Sequence, residues 1–432
     1  MKSTWRIWSA VLIVAMVCAG CNREPAYTVS LSAGTLWLTE GEIGSLTVTT
    51  QAPTVEWASD NEAVATVFHG VVTAVGVGHT LITATVDGGE KAVCTVYVTG
   101  KDGKTMSLTP SYVVVEKGET YQYTYAASYD LPLVWRSSNP DVATVDGNGM
   151  VTALKGGRTT ISLSNGADSC TSNFVVQRHW GEYKQVWLDE FEGNSLNTDV
   201  WNVESTARVN NSEKQCYTDR AENVRVEGGN LVIQLRKEEY QMQGVTRQYT
   251  SGRINSKHKK AFKYGKIEAR ISFPQGVGTW PAFWMMGEEG GWPKCGEIDI
   301  VEHVGKSPSF VSFALHTLDK NGDKGNNWHA GANFDNVENN YHVYGIEWLE
   351  EEKFGCDVIN FTYDGEVYAT VQEDMGHIDE NFYWPFNKEH YFILNMAVGG
   401  TMGGSTIDDA IFDKDVLMKV DWVRVYQREE IE

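Results

Sequence analysis

One short stretch late in the chain decides the fold: Gly296-Glu297-Ile298-Asp299-Ile300-Val301-Glu302-His303-Val304-Gly305. Its three carboxylates are interleaved with Ile and Val, residue types that favour β-strands. Because side chains in a strand point alternately to its two faces, Glu297 and Asp299 share one face. Glu302 would point the other way, but a single β-bulge near Ile300 or Val301 returns it to the acidic face. The stretch therefore predicts a bulged strand that carries three acids in a row.

A row of carboxylates is unfavourable because the charges repel one another, so at least one of the three acids should have a raised pKa. A glycosidase with two catalytic carboxyl groups uses such an arrangement, with one group ionised as the nucleophile and the other protonated as the acid. A solvated acidic edge strand and a cation-binding site have a similar composition. The ten residues alone leave these three interpretations open.

The composition narrows the class of protein. The chain has 432 residues, enough for about two to four domains. It contains 15 Trp, and most of them follow residue 179, which fits either a carbohydrate-binding cleft or a large aromatic core. The net charge of −21 argues against binding to nucleic acid, whose phosphates would be repelled. A neutral polysaccharide is compatible with this charge. As a separate expectation, the protein is a monomer.

The 7 cysteines predict neither a disulfide framework nor a zinc site. Cys18 and Cys21 belong to an N-terminal leader, and the remaining cysteines are an odd number without the short paired spacings of zinc ligands. Cys295 lies close before Glu297, but nothing in the sequence supplies the histidine and orienting partner that a thiol nucleophile needs. Catalysis by a cysteine is therefore not expected.

Residues 1–20 have the pattern of a lipoprotein signal peptide. Basic residues precede an apolar run at 7–17 that is too short for a comfortable membrane span. The leader ends Cys18-Ala19-Gly20-Cys21, which resembles a bacterial lipobox, although Cys18 stands where Leu or a similar residue is usual. We predict acylation of Cys21 and an outer-membrane lipoprotein at the cell surface, anchored by lipid alone. An ordinary cleaved signal peptide is the alternative.

Residues 25–178 contain an internal repeat. VEWASDNEAVATV at 55–67 matches LVWRSSNPDVATV at 133–145, and GVVTAV at 70–75 matches GMVTAL at 149–154. Both copies are rich in Val and Thr, are interrupted by Gly, Asn and Asp, and lack helical periodicity. This pattern predicts two small β-sandwiches.

The repeated pattern resembles the bacterial immunoglobulin-like group 2 family. The resemblance implies spacers or weak adhesion modules at residues 25–100 and 101–178, without catalytic residues. Trp57 and Trp135 occupy equivalent positions in the two copies. We predict that both tryptophans lie in the cores of their modules.

Residues 183–428 are predicted to form a long third domain. Alternating strands are evident at 264–271 and 421–426, and a Gly-Gly turn joins a hairpin at 223–234. About 250 residues of strands without a βαβ rhythm predict one large antiparallel sandwich. The predicted fold class is therefore all-β: a C-terminal β-sandwich jelly roll of the concanavalin-like kind, preceded by two immunoglobulin-like β-sandwiches.

The third domain carries an ordered set of motifs: Asp189-Glu190-Phe191, Ser251-Gly252-Arg253, Tyr264-Gly265, Trp280-Pro281-Ala282-Phe283-Trp284, the acidic stretch, Asn395-Met396-Ala397-Val398-Gly399-Gly400 and Val420-Asp421-Trp422-Val423-Arg424-Val425-Tyr426. In order and spacing this set resembles the laminarinase-type branch of glycoside hydrolase family 16. The resemblance implies a retaining endo-hydrolase of β-1,3-glucan or mixed β-1,3/1,4-glucan that needs no cofactor for catalysis.

The resemblance also implies roles for individual residues. Glu297 matches the nucleophile, Asp299 the carboxylate that assists it, and Glu302 the general acid and base. Six further residues match positions that contact the substrate: Asn223, Arg253, Trp280, Trp284, Trp292 and His316. Plain packing is the alternative for each Trp, and turn capping is the alternative for Asn223. His303 follows Glu302 directly and should face away from the acids.

A structural calcium ion is a further implication of the resemblance. Relatives of this family often hold one with an Asp in the closing strand, which here is Asp421. The carbonyl of Gly229, in the Gly-Gly turn, is a second expected ligand because hard oxygen ligands suit Ca²⁺. The alternative is that Asp421 merely ends a solvated strand.

Two other functions remain compatible with the sequence. One is a lipid-anchored glycan-binding protein that has lost catalysis, although binding does not require an unfavourable row of acids. The other is a hydrolase of the same fold that acts on a β-galactan or a host O-glycan. The loops at 287–293 and 320–333 flank the expected cleft, and their shape decides the substrate.

Overall fold

The structure, a computed structural model, describes residues 27–76, 78–86, 90–99, 106–127, 133–164, 169–353, 355–373 and 384–431. The leader and Cys21 lie outside the described residues. Where the structure describes the chain, it is built mainly of β-strands, and the predicted all-β class is confirmed. No helix among the described residues is long and apolar enough to cross a membrane.

The first repeat forms a small sandwich with the strands β1 (Val29–Leu31), β2 (Thr35–Thr39), β3 (Ile43–Ser45), β4 (Val48–Thr50), β5 (Val55–Ser59), β6 (Ala65–Phe68), β7 (Val71–Ala74), β8 (Gly78–Val86) and β9 (Lys91–Thr99). One sheet has the order β2-β9-β8-β5 and another the order β3-β7-β6, while β1 pairs with β4. Ile82, Cys94 and Val96 are fully buried between the sheets, and Trp57 packs against them. Trp57 is half-buried, so its predicted core position is confirmed only in part.

The second repeat has the same plan, with β10 (Met106–Thr109), β11 (Tyr112–Val115), β12 (Thr120–Gln122), β13 (Thr124–Ala127), β14 (Val134–Ser137), β15 (Ala143–Val145), β16 (Met150–Ala153), β17 (Gly157–Ser164) and β18 (Ser169–Val176). Its sheets have the orders β11-β18-β17-β14 and β12-β16-β15, and β10 pairs with β13. Trp135 is buried in this core, as predicted, beside Ile161 and Phe174.

The C-terminal domain contains the strands β19 (His179–Trp180), β20 (Lys184–Asp189), β21 (Asn202–Val203), β22 (Gln215–Tyr217), β23 (Val224–Glu227), β24 (Asn230–Met242), β25 (Val245–Ser251), β26 (Arg253–Asn255), β27 (Ala261–Phe262), β28 (Gly265–Ser272), β29 (Thr279–Gly287), β30 (Glu297–His303), β31 (Phe310–His316), β32 (Trp328–Asn333), β33 (Tyr341–Lys353), β34 (Cys356–Tyr363), β35 (Glu366–Gln372), β36 (His390–Val398), β37 (Val416–Gln427) and β38 (Glu430–Ile431). Its helical elements are short: α1 (Gly400–Gly403) and the 3₁₀ turns Gly322–Lys324, Pro385–Asn387 and Asp409–Asp413.

Two large sheets make up the C-terminal domain. The first, with 10 strands, has the order β22-β25-β24-β37-β28-β33-β34-β35, with β20 on β37 and β23 on β24. The second, with 8 strands, has the order β21-β26-β36-β29-β30-β31-β32, with β27 on β36. We call the second sheet the catalytic sheet because it contains the acidic strand. The predicted hairpin with the Gly-Gly turn is formed by β23 and β24.

One apolar core fills the space between the two large sheets. Ile298, Phe283 and Leu394 come from the catalytic sheet, and Ile346 and Val425 come from the opposite sheet. All five side chains are fully buried. Because the acidic strand β30 is held between β29 and β31, the core residues of all three strands anchor the row of acids in the middle of its sheet.

Candidate active site

The acidic strand contains a β-bulge between the second and third acids. Asp299 pairs with Ala314 and Glu302 pairs with Ser312, so two residues of β30 lie opposite Phe313 alone. The ladder to β29 has a matching shift. A bulge of this kind adds one residue to one strand and changes the side to which the following side chains point. The bulge predicted from the sequence is confirmed.

The two residues within the bulge are both apolar and buried. Ile300 and Val301 pack into the core between the sheets. Burying both of them lets Glu302 return to the side of the sheet that carries Glu297 and Asp299. The charge of Glu302 raises the pKa of both other carboxyl groups, as expected for acids on the same side of the sheet.

His316 on β31 is the nearest base to the first two acids. It pairs directly with Glu297 across the strands. Its Nε2 lies 3.2 Å from Asp299 Oδ2 and 4.0 Å from Glu297 Oε1. The backbone N–H of Gly322 donates to His316 Nδ1 at 3.0 Å. Since Nδ1 accepts a hydrogen bond, the neutral ring carries its proton on Nε2 and directs it towards Asp299.

The loop that holds His316 in this tautomer is internally bonded. Asn321 is buried, and its amide donates to the carbonyls of Thr317 and Leu318. Its side-chain oxygen accepts from the N–H of Lys324 and caps a 3₁₀ turn. The loop at 320–333 therefore reaches the site through one backbone N–H, which orients the histidine.

Burial raises the pKa of all three carboxyl groups, and the charge of a neighbouring acid raises it further for Glu297 and Asp299. A hydrogen bond between Glu297 and Asp299 raises the pKa of Glu297 and lowers that of Asp299. A hydrogen bond between two carboxyl groups requires a proton on one of them, so the pair holds a shared proton. The raised pKa predicted for at least one acid is present in all three.

Trp280 contacts the third acid directly. Its Nε1–H donates to Glu302 Oε1 at 3.0 Å, which favours the carboxylate and lowers the pKa of Glu302 against the effect of burial. Only 7% of Trp280 is exposed, and it packs with Val304 and Ala397. Trp280 is therefore mainly a buried hydrogen-bond partner of Glu302, and little of its surface is left to contact a substrate.

A relay of hydrogen bonds fixes Trp284. Its Nε1–H donates to Asn395 Oδ1 at 2.7 Å, the Asn395 amide donates to the Tyr217 hydroxyl at 3.1 Å, and that hydroxyl donates to Glu213 Oε2 at 3.1 Å. The guanidinium of Arg253 stacks 4.9 Å from the ring of Trp284. Trp284 and Arg253 thus form one rigid surface beside the acids.

Three of these relay residues were missed by the sequence reasoning. Asn395 lies in a quoted motif, and the motif was the signal that could have identified it. Tyr217 and Glu213 are buried polar residues on and before β22, far from the acids in sequence, and no local signal marks them. Burial raises the pKa of Glu213, while hydrogen bonds from Gln215 and Tyr217 oppose this effect.

Trp292 and Arg253 keep surfaces that a ligand can reach. Trp292 is 39% exposed, and its ring lies 6.2 Å from that of His316. Arg253 is partly exposed and lies 3.1 Å from Glu204. The structure therefore brings together five of the six predicted substrate-contacting residues around the acids: Arg253, Trp280, Trp284, Trp292 and His316.

The sixth, Asn223, does not lie in the cleft, and its predicted contact with substrate is not supported. Its side chain is fully buried. The side-chain oxygen accepts from Thr218 and Arg220, and the amide donates to Gln234 O and Thr250 Oγ1. A buried amide with all these partners serves the fold, and it has no free group for a sugar.

His303 faces away from the acids, as expected. It is fully buried in the core, where its Nδ1 lies 2.9 Å from Phe310 O and its Nε2 3.2 Å from Glu338 Oε1. Its ring stacks on Phe273. His303 therefore contributes to packing and takes no part in the site.

None of the cysteines that the structure describes forms a disulfide bond, in agreement with the prediction of no disulfide framework. Cys295 is buried, and burial together with the charge of Glu297 raises the pKa of its thiol. A thiol with a raised pKa remains protonated and is a poor nucleophile.

Asp421 does not fit the expected calcium site. Arg270 Nη1 donates to Asp421 Oδ2 at 2.6 Å, so a guanidinium already neutralises this carboxylate. Arg270 is held in turn by the ring of Tyr341, 4.5 Å away. Gly229 lies in the exposed turn between β23 and β24, where a side-chain carbon added to it would meet no atom within 4 Å outside its two chain neighbours. The expectation that Asp421 and Gly229 ligate calcium is therefore not supported.

The acids themselves could also hold a cation. Glu297, Asp299 and His316 each bring one ligand atom within 4.8 Å of the others. The hydrogen bond between the carboxyl groups and the proton on His316 Nε2 account for this closeness without a metal. These three groups therefore lie close together because they share protons.

Comparisons with known proteins agree with this architecture. Residues 210–424 match the model of the glycosyl hydrolases family 16, and residues 27–96 and 103–171 match the bacterial Ig-like domain (group 2). A beta-glucanase of Rhodothermus marinus is 36% identical in an alignment of 260 residues that covers 58% of this chain and 86% of that protein. A keratan-sulfate endo-1,4-beta-galactosidase of Sphingobacterium multivorum is 32% identical, over 57% of this chain and 56% of that protein.

A solved structure extends the likeness to three dimensions. The endo-beta-1,3-glucanase from Pyrococcus furiosus is 34% identical and superposes with a TM-score of 0.52. The match covers 58% of this chain and 96% of the solved chain. The shared part is the C-terminal domain, which contains the row of acids.

The pairing of Asp421 with Arg270 predicts that calcium does not stabilise the protein. The melting temperature should be the same with a chelator, with added calcium and with added magnesium as a control for ionic strength. Differential scanning calorimetry measures it. A lower melting temperature in chelator that calcium alone restores would contradict the prediction and would require Arg270 to move away from Asp421.

Proposed function

This chain belongs to family 16 of the glycosyl hydrolases, and we propose that it is an endo-acting β-glucanase that cleaves β-1,3-glucan or mixed β-1,3/1,4-glucan with retention of configuration. The observation that carries the proposal is the bulged strand, which places Glu297, Asp299 and Glu302 side by side with Trp280 bonded to Glu302. A retaining glycosidase needs two carboxyl groups, about 5–5.5 Å apart, that flank the scissile bond.

In the first step Glu302 donates its proton to the glycosidic oxygen while Glu297 attacks the anomeric carbon. The leaving sugar departs with that proton, and a covalent glycosyl-enzyme forms on Glu297. In the second step the Glu302 carboxylate takes a proton from water, and the resulting hydroxide displaces Glu297. Burial, which raises the pKa of Glu302, supports its role as the acid.

Glu297 attacks as a carboxylate. The hydrogen bond that joins it to Asp299 requires a proton on one of the two groups. With this proton on Asp299, Glu297 is the required carboxylate and no proton is released to solvent. The Nε2–H of His316, directed at Asp299, stabilises negative charge on the pair.

The surfaces around the acids suit a neutral sugar polymer. The Trp284 ring and the Arg253 guanidinium offer a flat aromatic surface and hydrogen-bond donors, and the exposed Trp292 provides a second ring beside His316. The charge of −21 repels polyanions such as nucleic acid and has no such effect on a glucan. The proposed oligomeric state is a monomer.

The galactan or O-glycan alternative has support from the relative named a keratan-sulfate endo-1,4-beta-galactosidase. Product analysis on laminarin, barley β-glucan, lichenan, agarose, keratan sulfate and mucin distinguishes the substrates. We expect laminarin to be cut to oligosaccharides of mixed length and agarose, keratan sulfate and mucin to remain intact. Cleavage of only the last three would contradict the proposal. Binding of laminarin without cleavage would indicate the non-catalytic alternative.

The anchoring of the protein is a separate proposal that is based on the sequence of the leader. Acylation of Cys21 would hold the protein in the outer membrane, at the cell surface, through lipid alone. Several acyl chains anchor a protein firmly, whereas one chain does so weakly. A Cys21→Ala variant should move from the membrane fraction to the soluble fraction, and a Cys21→Ala variant that stays in the membrane fraction would contradict the idea.

The Trp280–Glu302 hydrogen bond predicts a pH effect. The bond stabilises the ionised form of Glu302, so its loss in Trp280→Phe raises the pKa of the acid. Activity falls as the pH rises through this pKa, and the alkaline limb of the kcat/KM profile should therefore move upward by up to about one pH unit. Trp292→Phe is the matched control and should leave the limb in place. An unchanged or lowered limb in Trp280→Phe would contradict the assignment of Glu302.

A further inference from the structure

The second immunoglobulin-like module lies directly against the C-terminal domain. Arg158 on β17 donates to Glu351 Oε1 at 3.0 Å and to Glu373 Oε2 at 2.8 Å. Arg178, just after β18, lies 3.2 Å from Glu350 Oε1 and 3.3 Å from Glu351 Oε2. Two arginines of one module thus face three acids of the other domain.

Apolar contact accompanies the ion pairs. A side-chain carbon at Gly355 would lie 2.7 Å from the side chain of Val175 on β18. The two surfaces therefore touch without space for a larger residue. Contact of this kind and paired charges at the same place describe a docked interface, since isolated surface ion pairs contribute little.

The acids under Arg158 are buried in the C-terminal domain. Asp357 is fully buried and Glu373 nearly so. The backbone N–H of Asp357 donates to Glu373, and that of Glu351 donates to Asp357. Burial raises the pKa of all three acids and the charge of Arg158 lowers each of them; the net effect raises the pKa of Glu373 to about 7. The positive charge that this cluster requires therefore comes from the other module.

The cluster is connected to the catalytic strand. Asp357 Oδ2 accepts hydrogen bonds from the Tyr264 hydroxyl at 2.8 Å and from Trp384 Nε1–H at 3.0 Å. Trp384 is buried and is followed by Pro385. A side-chain carbon at Gly296 would lie 2.8 Å from Pro385 Cγ, so this segment packs directly against the residue that precedes Glu297.

We propose that Arg158 is a positioning residue for the active site, and that the second module is an integral part of the catalytic unit and more than a spacer. Arg158 forms ion pairs with Glu373 and Glu351, and both acids are hydrogen-bonded to Asp357. Asp357 in turn accepts a hydrogen bond from Trp384, and the proline that follows Trp384 packs against Gly296. Removing Arg158 leaves the buried carboxylates of Glu373 and Asp357 without their cation, which is costly in a medium of low dielectric, while Arg178 still faces Glu351. The acids then separate or take up protons, and Trp384 loses a well-placed acceptor.

Full-length Arg158→Met tests the proposal because it removes the charge and keeps an apolar chain of similar length. Arg136→Met, an exposed arginine on β14 of the same module, is the matched control. Arg158→Met should lower the melting temperature of the C-terminal domain by about 5–10 °C. At a temperature well below melting it should lower kcat on laminarin by about tenfold and change KM little, because the effect is on the position of Glu297.

Rescue distinguishes positioning from a loss of folded protein. Arg158→Lys should recover most of kcat, and Glu373→Gln in the Arg158→Met background should recover part of both kcat and the melting temperature, because it removes one uncompensated charge. An Arg158→Met enzyme with the kcat of the Arg136→Met control would overturn the positioning role. An unchanged melting temperature would overturn the docked interface.

The expected change in kcat rests on the proposed function, whereas the expected change in melting temperature does not. A wild-type protein that fails to cleave laminarin would contradict the proposed function alone. The comparison of melting temperatures would then still decide whether the module supplies the missing charge.

Discussion

The rest of the site depends on a single bulge that buries two neighbouring apolar residues. Ile300 and Val301 both enter the core, and this allows acids on either side of them to share one face of the catalytic sheet. A regular strand would have sent Glu302 into the core, where an unpaired carboxylate is strongly unfavourable. The packing of the core and the chemistry of the site thus depend on the same backbone irregularity.

Three acids placed together repel one another, and neighbouring groups offset this repulsion with protons and hydrogen bonds. His316, with its tautomer fixed by Gly322, directs one proton to Asp299, and Trp280 directs one to Glu302. These donors differ in strength and position, so the acids become chemically distinct although their burial is similar. In a second cluster of buried acids, around Asp357, the negative charge is compensated by an arginine of the neighbouring module.

Local sequence patterns predicted those features that depend on neighbours along the chain. Alternation of acids with Ile and Val identified the strand, and the odd spacing of Glu302 identified the bulge. The repeat around Trp57 and Trp135 identified two similar cores. Features that depend on distant partners were not predictable in this way: Asn223 is buried by Thr250 and Gln234, and Asp421 is neutralised by Arg270.

The central claim is that Glu297 and Glu302 act in opposite roles on one sugar. The most direct test is rescue by azide with an activated aryl β-glucoside oligomer as substrate, followed by proton NMR of the glycosyl azide. Glu297→Ala should yield the α-azide, because azide replaces the nucleophile, and Glu302→Ala should yield the β-azide, because azide attacks the glycosyl-enzyme. The reverse pattern, or the same anomer from both variants, would contradict the account.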